Sequence, residues 1–135
     1  MPATYAPASI KGKRFLVVED EPLIGLEIAS TLQQEAALVL GPVAAVSDAL
    51  RIIEKDELDG ALLDANLRGQ PAGDIAAALT RKGIPFVFVT GYGREALPAS
   101  FAHARVLKKP FIERELLEAA ALLVEQPGAV LRLRD

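Results

Sequence analysis

The 135 residues carry 15 Lys and Arg against 18 Asp and Glu, a net charge of -3, and 51% of them are hydrophobic. That length and balance fit one domain around one core, with no basic stripe for nucleic acid. The chain has no cysteine and one histidine, which excludes disulfide and thiol chemistry and argues against zinc; no apolar stretch could span a bilayer and no signal peptide is evident, so a cytoplasmic protein is expected.

Residues 1–11 begin in an Ala- and Pro-rich stretch and are expected to be a flexible N-terminal segment. Two textures then alternate. Short apolar runs stand at "RFLVVE" (14–19), "ALVLGPV" (37–43), "GALLDA" (60–65), "PFVFVT" (85–90) and "ARVLKK" (104–109). Such runs suit strands covered on both faces. Between them lie segments of helical spacing. Ile24, Ile28 and Leu32 recur every four residues, and Pro22 stands where a helix favours proline. Val46, Ala49, Leu50 and Ile53 form a second apolar stripe, with Ser47 near the expected cap. Ile75, Ala78 and Leu79 mark a third. Ile112, Leu116, Ala119 and Leu123 line a last helix.

The fourth helical position is weak. "GYGREALPASFAHA" (91–104) has two early glycines and Pro98 in its middle, which leaves room for a short helix over 94–97. After Pro127 the tail alternates apolar and charged residues. It fits either an edge strand, with a possible homodimer, or a loose end at 127–135.

Five strand–helix repeats predict an α/β fold: a parallel sheet with helices on both faces and right-handed crossovers. Ligands of such sheets bind beyond the carboxyl ends of the strands. The first strand delivers Glu19 and Asp20 to that rim, the third Asp64, the fourth Thr90 and the fifth Lys109. Three acids in sequence, Glu19 to Glu21, repel one another. A hard divalent cation offsets that repulsion, and Lys109 adds a second positive charge. Metal and lysine together suit phosphoryl oxygens. Each residue also has a bland explanation: a solvated loop that favours a helix start, a strand-end threonine, a surface lysine, a packed Tyr92. All of these holding at once on one rim is improbable.

The ordered set "VVEDEP", "LLDANL", "VTG" and "KKPF" resembles the receiver domain of two-component response regulators over about residues 12–126. Within that family "PFVFVTGYG" and "DANLRG" are similar to the FAT-GUY group of mostly single-domain receivers. The resemblance implies a flavodoxin-like (βα)5 fold with strand order 2-1-3-4-5. It implies that Asp64 takes a phosphoryl group from a sensor histidine kinase or phosphotransfer protein. Mg2+ (or Mn2+) would be held by Glu19, Asp20, Asp64 and the backbone carbonyl of Asn66. Thr90, Lys109 and the backbone N–H groups of Ala65 and Gly91 would hold the phosphoryl oxygens. Tyr92 would tune the lifetime. Output would pass to a protein partner through the 91–110 face and the last helix, without nucleic acid or membrane. Departures stand at Leu67-Arg68, where Met-Pro is common, and at Val106, where a switch aromatic is common. The rivals are a small metal-dependent phosphoryl-transfer or toprim-like enzyme, one acid short at Asp64-Ala65-Asn66, and a receiver-like module that never uses phosphate.

Overall fold

A computed structural model describes residues 7–125. The alternating tail at 127–135 and the first six residues lie outside them. Five strands form one parallel sheet: β1 (Arg14–Val18), β2 (Leu38–Val43), β3 (Gly60–Asp64), β4 (Phe86–Thr90) and β5 (Val106–Lys108). The order across the sheet is β2-β1-β3-β4-β5. Four helices, α1 (Pro22–Gln34), α2 (Val46–Lys55), α3 (Gly73–Arg81) and α4 (Glu113–Glu125), cover its faces. This is the flavodoxin-like doubly wound arrangement, with strand order 2-1-3-4-5.

Strand alternation divides the core. Phe15, Val17, Leu62, Val87 and Val89 pack with Ile28 and Leu32 of α1 and Leu116 and Leu123 of α4. Leu16, Val18, Leu63, Phe86 and Phe88 pack on the opposite face with Ile53 of α2 and Ile75 and Leu79 of α3. A period of two on each strand supplies both faces.

Several expectations change. β2 is an edge strand and is largely exposed, so its apolar run does not mark coverage on both faces. It bulges against β1 between the pairs Leu16↔Leu40 and Val18↔Val43, a device that suits an edge carrying Pro42. Ser47 does not cap α2. The cap residue is Ala45, which makes no side-chain cap bond, and Gln70 Oε1 accepts from the Val46 N–H at 3.4 Å. Ile112 precedes α4 and is exposed; Leu116, Leu117, Ala120, Ala121 and Leu123 form the buried face. Within the N-terminal segment, Pro7–Ile10 makes a 3-10 turn and Ile10 is buried.

The fourth crossover holds no α-helix. Two 3-10 turns, Arg94–Ala96 and Ala99–Phe101, flank Pro98, because proline cannot continue an i→i-4 ladder through that point. Beyond β3 the chain makes a small hairpin, Asn66–Leu67 paired with Gln70–Pro71. Its two-residue turn has φ +48 at Arg68 and +82 at Gly69, the backbone of a type I′ turn.

Candidate functional site

Strand register builds the site. Val18 pairs with Leu63, Asp64 with Val89, and Thr90 with Lys108. The residues just past β1, at the end of β3 and β4, and just past β5 therefore share one rim. The Lys109 N–H donates to the Thr90 carbonyl at 2.8 Å, and the Glu19 N–H to the Val43 carbonyl at 2.9 Å. Both loops thus leave the sheet under backbone control.

Glu19, Asp64 and Thr90 are buried, and Asp20 exposes only 9% of its side chain. The carboxylates of Glu19, Asp20 and Asp64 each offer one oxygen, and the three oxygens lie within 4.8 Å of one another. Lys109 Nζ reaches Glu21 Oε1 at 2.9 Å, Glu19 Oε1 at 3.2 Å and Asp64 Oδ2 at 3.8 Å. One ammonium therefore faces several acids. These residues, with Asn66, Arg68, Gly91 and Tyr92, surround an open cleft of about 320 Å3, on whose lining Glu19 does not itself appear.

Burial sets the electrostatics. It is the main cause that pushes the Asp64 carboxyl up to about 8 from 3.8. The adjacent Glu19 carboxylate pushes the same way, by the proton that the two carboxyls can share and by its charge. The Asn66 N–H, 2.9 Å from Asp64 Oδ1, and the Lys109 charge pull it down without overcoming them. Burial also works against the Lys109 ammonium. The bond to Glu21 and the charges of Asp64 and Glu19 outweigh it, so its pKa is raised.

The donor set fits a hard divalent cation. Glu19 Oε2 accepts from the Glu21 N–H at 3.2 Å and from Lys109 Nζ at 3.3 Å. Glu19 Oε1 is buried and makes no hydrogen bond; its 3.2 Å approach to Nζ lacks the geometry of one. A buried carboxylate oxygen without a bond is costly, and an oxygen-seeking cation satisfies it.

The structure brings together Glu19, Asp20, Asp64, Thr90, Lys109, Gly91 and Tyr92 on one cleft or its immediate support. It separates the two neighbours of Asp64. The Ala65 N–H is engaged by the Val89 carbonyl at 3.2 Å, whereas the Asn66 N–H points to the Asp64 carboxylate. Tyr92 is 61% exposed, which rules out the packed-aromatic reading, and its N–H donates to Thr90 Oγ1 at 3.0 Å. A side chain at Gly91 would meet nothing closer than Lys109 Cβ, at 3.9 Å. His103 is exposed.

Two participants were missed in the sequence. Glu21 is the nearest acid to Lys109 Nζ, and the unbroken acidic run 19–21 was the available signal. Arg68 Nε lies 3.1 Å from Asp20 Oδ2. Its signal was a cation four residues past Asp64, where a turn could bring it back.

The response regulator receiver domain model matches residues 15–121. The chain belongs to the receiver domain family. The receiver is 38% identical to SdrG from Sphingomonas melonis Fr1, whose solution structure superposes with a TM-score of 0.73 and covers 86% of this chain and 98% of that one. A BeF3-activated conformation of SdrG from Pseudomonas melonis Fr1 matches at 36% identity and TM-score 0.71, over 84% of this chain and 98% of that one. Transcriptional regulatory protein PdtaR of Mycobacterium tuberculosis is 28% identical over 93% of the receiver, which spans 62% of that protein's length. The fold and the acidic cluster match the self-phosphorylation and dephosphorylation chemistry of receiver domains. Among the described residues no helix is long and apolar enough to cross a membrane.

Proposed function

We propose that this receiver is of the FAT-GUY type, takes a phosphoryl group on Asp64 from the phosphohistidine of a kinase or phosphotransfer protein, and signals by protein contacts. One observation carries the reading: the buried Asp64 carboxyl clusters with those of Glu19 and Asp20, one oxygen of each within 4.8 Å of the others, and stands 3.8 Å from the Lys109 ammonium. Attack by an Asp64 oxygen forms a P–O bond and breaks the P–N bond. The imidazole leaves with the electron pair.

Glu19, Asp20, Asp64 and the Asn66 carbonyl would hold Mg2+ or Mn2+. When bound, the ion supplies positive charge to the phosphoryl oxygens. Lys109 pairs with one oxygen, and the Thr90 hydroxyl donates to another. The backbone donors are the Gly91 N–H and, in place of Ala65, whose N–H is held by the Val89 carbonyl, the Asn66 N–H, which already faces the Asp64 carboxylate where the phosphoryl group would sit. That SdrG has a BeF3-activated conformation supports phosphoryl uptake by a receiver of this kind, because trifluoroberyllate has the shape and charge of a phosphoryl group.

Val106 offers no ring to couple with Thr90. The bond from the Tyr92 N–H to Thr90 Oγ1 supplies another route. A Thr90 hydroxyl drawn to the phosphoryl group pulls on the start of the 91–104 segment. That segment, β5 and α4 then present the changed surface to a protein partner. Asn66 and Tyr92 line the cleft and control the approach of water, hence the lifetime.

Incubation with phosphoramidate and Mg2+, followed by intact mass measurement, tests the reading. One phosphoryl group is expected on the wild type and none on Asp64→Ala. Labelling retained by the variant would place the acceptor elsewhere.

A further inference from the structure

The hairpin after β3 carries a residue unsuited to its backbone. In a type I′ turn both central residues need positive φ, and Asn, Asp or Gly usually fill them. Here Gly69 is suited, but Arg68 holds φ +48 with a long side chain. A non-glycine residue persists in that region when its surroundings hold it there. What holds Arg68 is 48 positions away in sequence: Nε lies 3.1 Å from Asp20 Oδ2. The two observations are independent, one of backbone and one of side-chain geometry.

Asp20 is the most open of the three clustered acids; Glu19 and Asp64 are already faced by Lys109. The guanidinium thus covers the oxygen-rich side of the cluster that Lys109 leaves open. Arg68 is itself 77% exposed, so it can leave without unpacking the core. A charge-assisted bond to Asp20 and a cation bound to the same carboxylate are alternatives, because the two positive charges repel at that distance.

We propose that Arg68 is a built-in competitor of the divalent cation. It holds Asp20 in the metal-free protein and must swing away before the ion binds, so it raises the ion concentration at which Asp64 becomes competent. This rests on the metal-dependent phosphoacceptor reading above.

The test is direct Mn2+ titration, with free Mn2+ read by electron paramagnetic resonance, on wild type, Arg68→Asn and Arg68→Lys. Asn suits the turn backbone and removes the charge. Arg68→Asn is expected to bind Mn2+ about 1.5- to fivefold more tightly, the range of a partly exposed ion pair. Arg68→Lys falls between. The gap narrows in high salt, which screens the ion pair. A Mg2+ titration followed by NMR should show the Arg68 Hε signal losing its protection from exchange as the ion binds. Unchanged or weaker Mn2+ binding in Arg68→Asn, with the wild type binding normally, overturns this inference alone. Failure of the wild type and of Arg68→Asn to bind Mn2+ overturns it together with the proposed function.

Discussion

The Lys109 ammonium stands 3.8 Å from Asp64 Oδ2, within ion-pair reach but too far for a hydrogen bond. It spends its close contacts on Glu21 and Glu19 instead. The gap is where a phosphoryl oxygen would insert between amine and acceptor. Lys109→Ala should therefore act twice. Phosphoryl uptake should fall by about a hundredfold, the usual cost of removing one positioned charge donor. In metal-free buffer at pH 8 the variant should also lose about 2–4 kcal/mol of stability, because buried acids are left without a cation. Urea unfolding measures the second effect, and Mg2+ should restore more stability to the variant than to the wild type.

The Asp64 carboxyl, pushed up to about 8, gives a pH dependence of defined sign. A carboxyl that ionises less readily folded than unfolded contributes most stability below its ordinary value of 3.8 and loses it as pH rises through 8. Metal-free protein should accordingly become less stable between pH 5 and pH 8.5. Cation binding needs the ionised form, so it should release close to one proton at pH 6.5 and almost none at about pH 9. Calorimetry in buffers of different ionisation enthalpy counts those protons. A proton count that does not change with pH would mean that Asp64 is ionised throughout.

Most of the sheet and its rim were legible in the sequence, because strand alternation and the polar residue closing each run are local signals. Glu19, Asp20, Asp64, Thr90 and Lys109 could be placed on one rim without knowing how far apart they stood. What failed was relational. The β2 run reads like an interior strand, and only its place at the end of the order exposes it. Ser47 fits a capping rule, but a Gln70 side chain from another segment reaches the helix start instead. Arg68 is invisible to periodicity, since its role depends on a turn that sends it back to Asp20. Ala65 and Asn66 are adjacent in sequence, and only the structure shows that the first N–H is held by the sheet, at the Val89 carbonyl, and the second by the Asp64 carboxylate itself.

Two glycines make opposite predictions. At Gly41, φ is +107 and an added Cβ would stand 2.6 Å from the Val17 carbonyl oxygen. At Gly91 the nearest atom to such a Cβ is Lys109 Cβ, 3.9 Å away. Gly41→Ala should cost about 2–4 kcal/mol, since both the backbone conformation and the β1–β2 bulge resist it. Gly91→Ala should change stability by less than about 1 kcal/mol. Thermal melts of the pair decide it. Equal losses would mean that the bulge relaxes freely.

Beside the buried Leu97, two devices of different strength help hold the 91–104 segment. The Phe101 ring meets Phe86 and Phe88 edge-on, with centroids 5.9 and 6.3 Å apart. Arg94 Nη1 donates to the carbonyls of Ala102 at 3.0 Å and Ala104 at 2.8 Å, at an exposed position. The ring contacts reach the core cluster between the sheet and α2/α3, so Phe101→Ala should lower global stability by about 2–3 kcal/mol. The Arg94 bonds close a local loop in contact with water. Arg94→Ala should leave the melting temperature within a few degrees of wild type while speeding amide exchange across 94–104 at least severalfold, because local opening costs less than global unfolding. Hydrogen-exchange mass spectrometry separates the two cases. If Arg94→Ala instead accelerated exchange evenly across the sheet, the segment would be part of the cooperative core, and a local pull from Thr90 through Tyr92 could not move it independently.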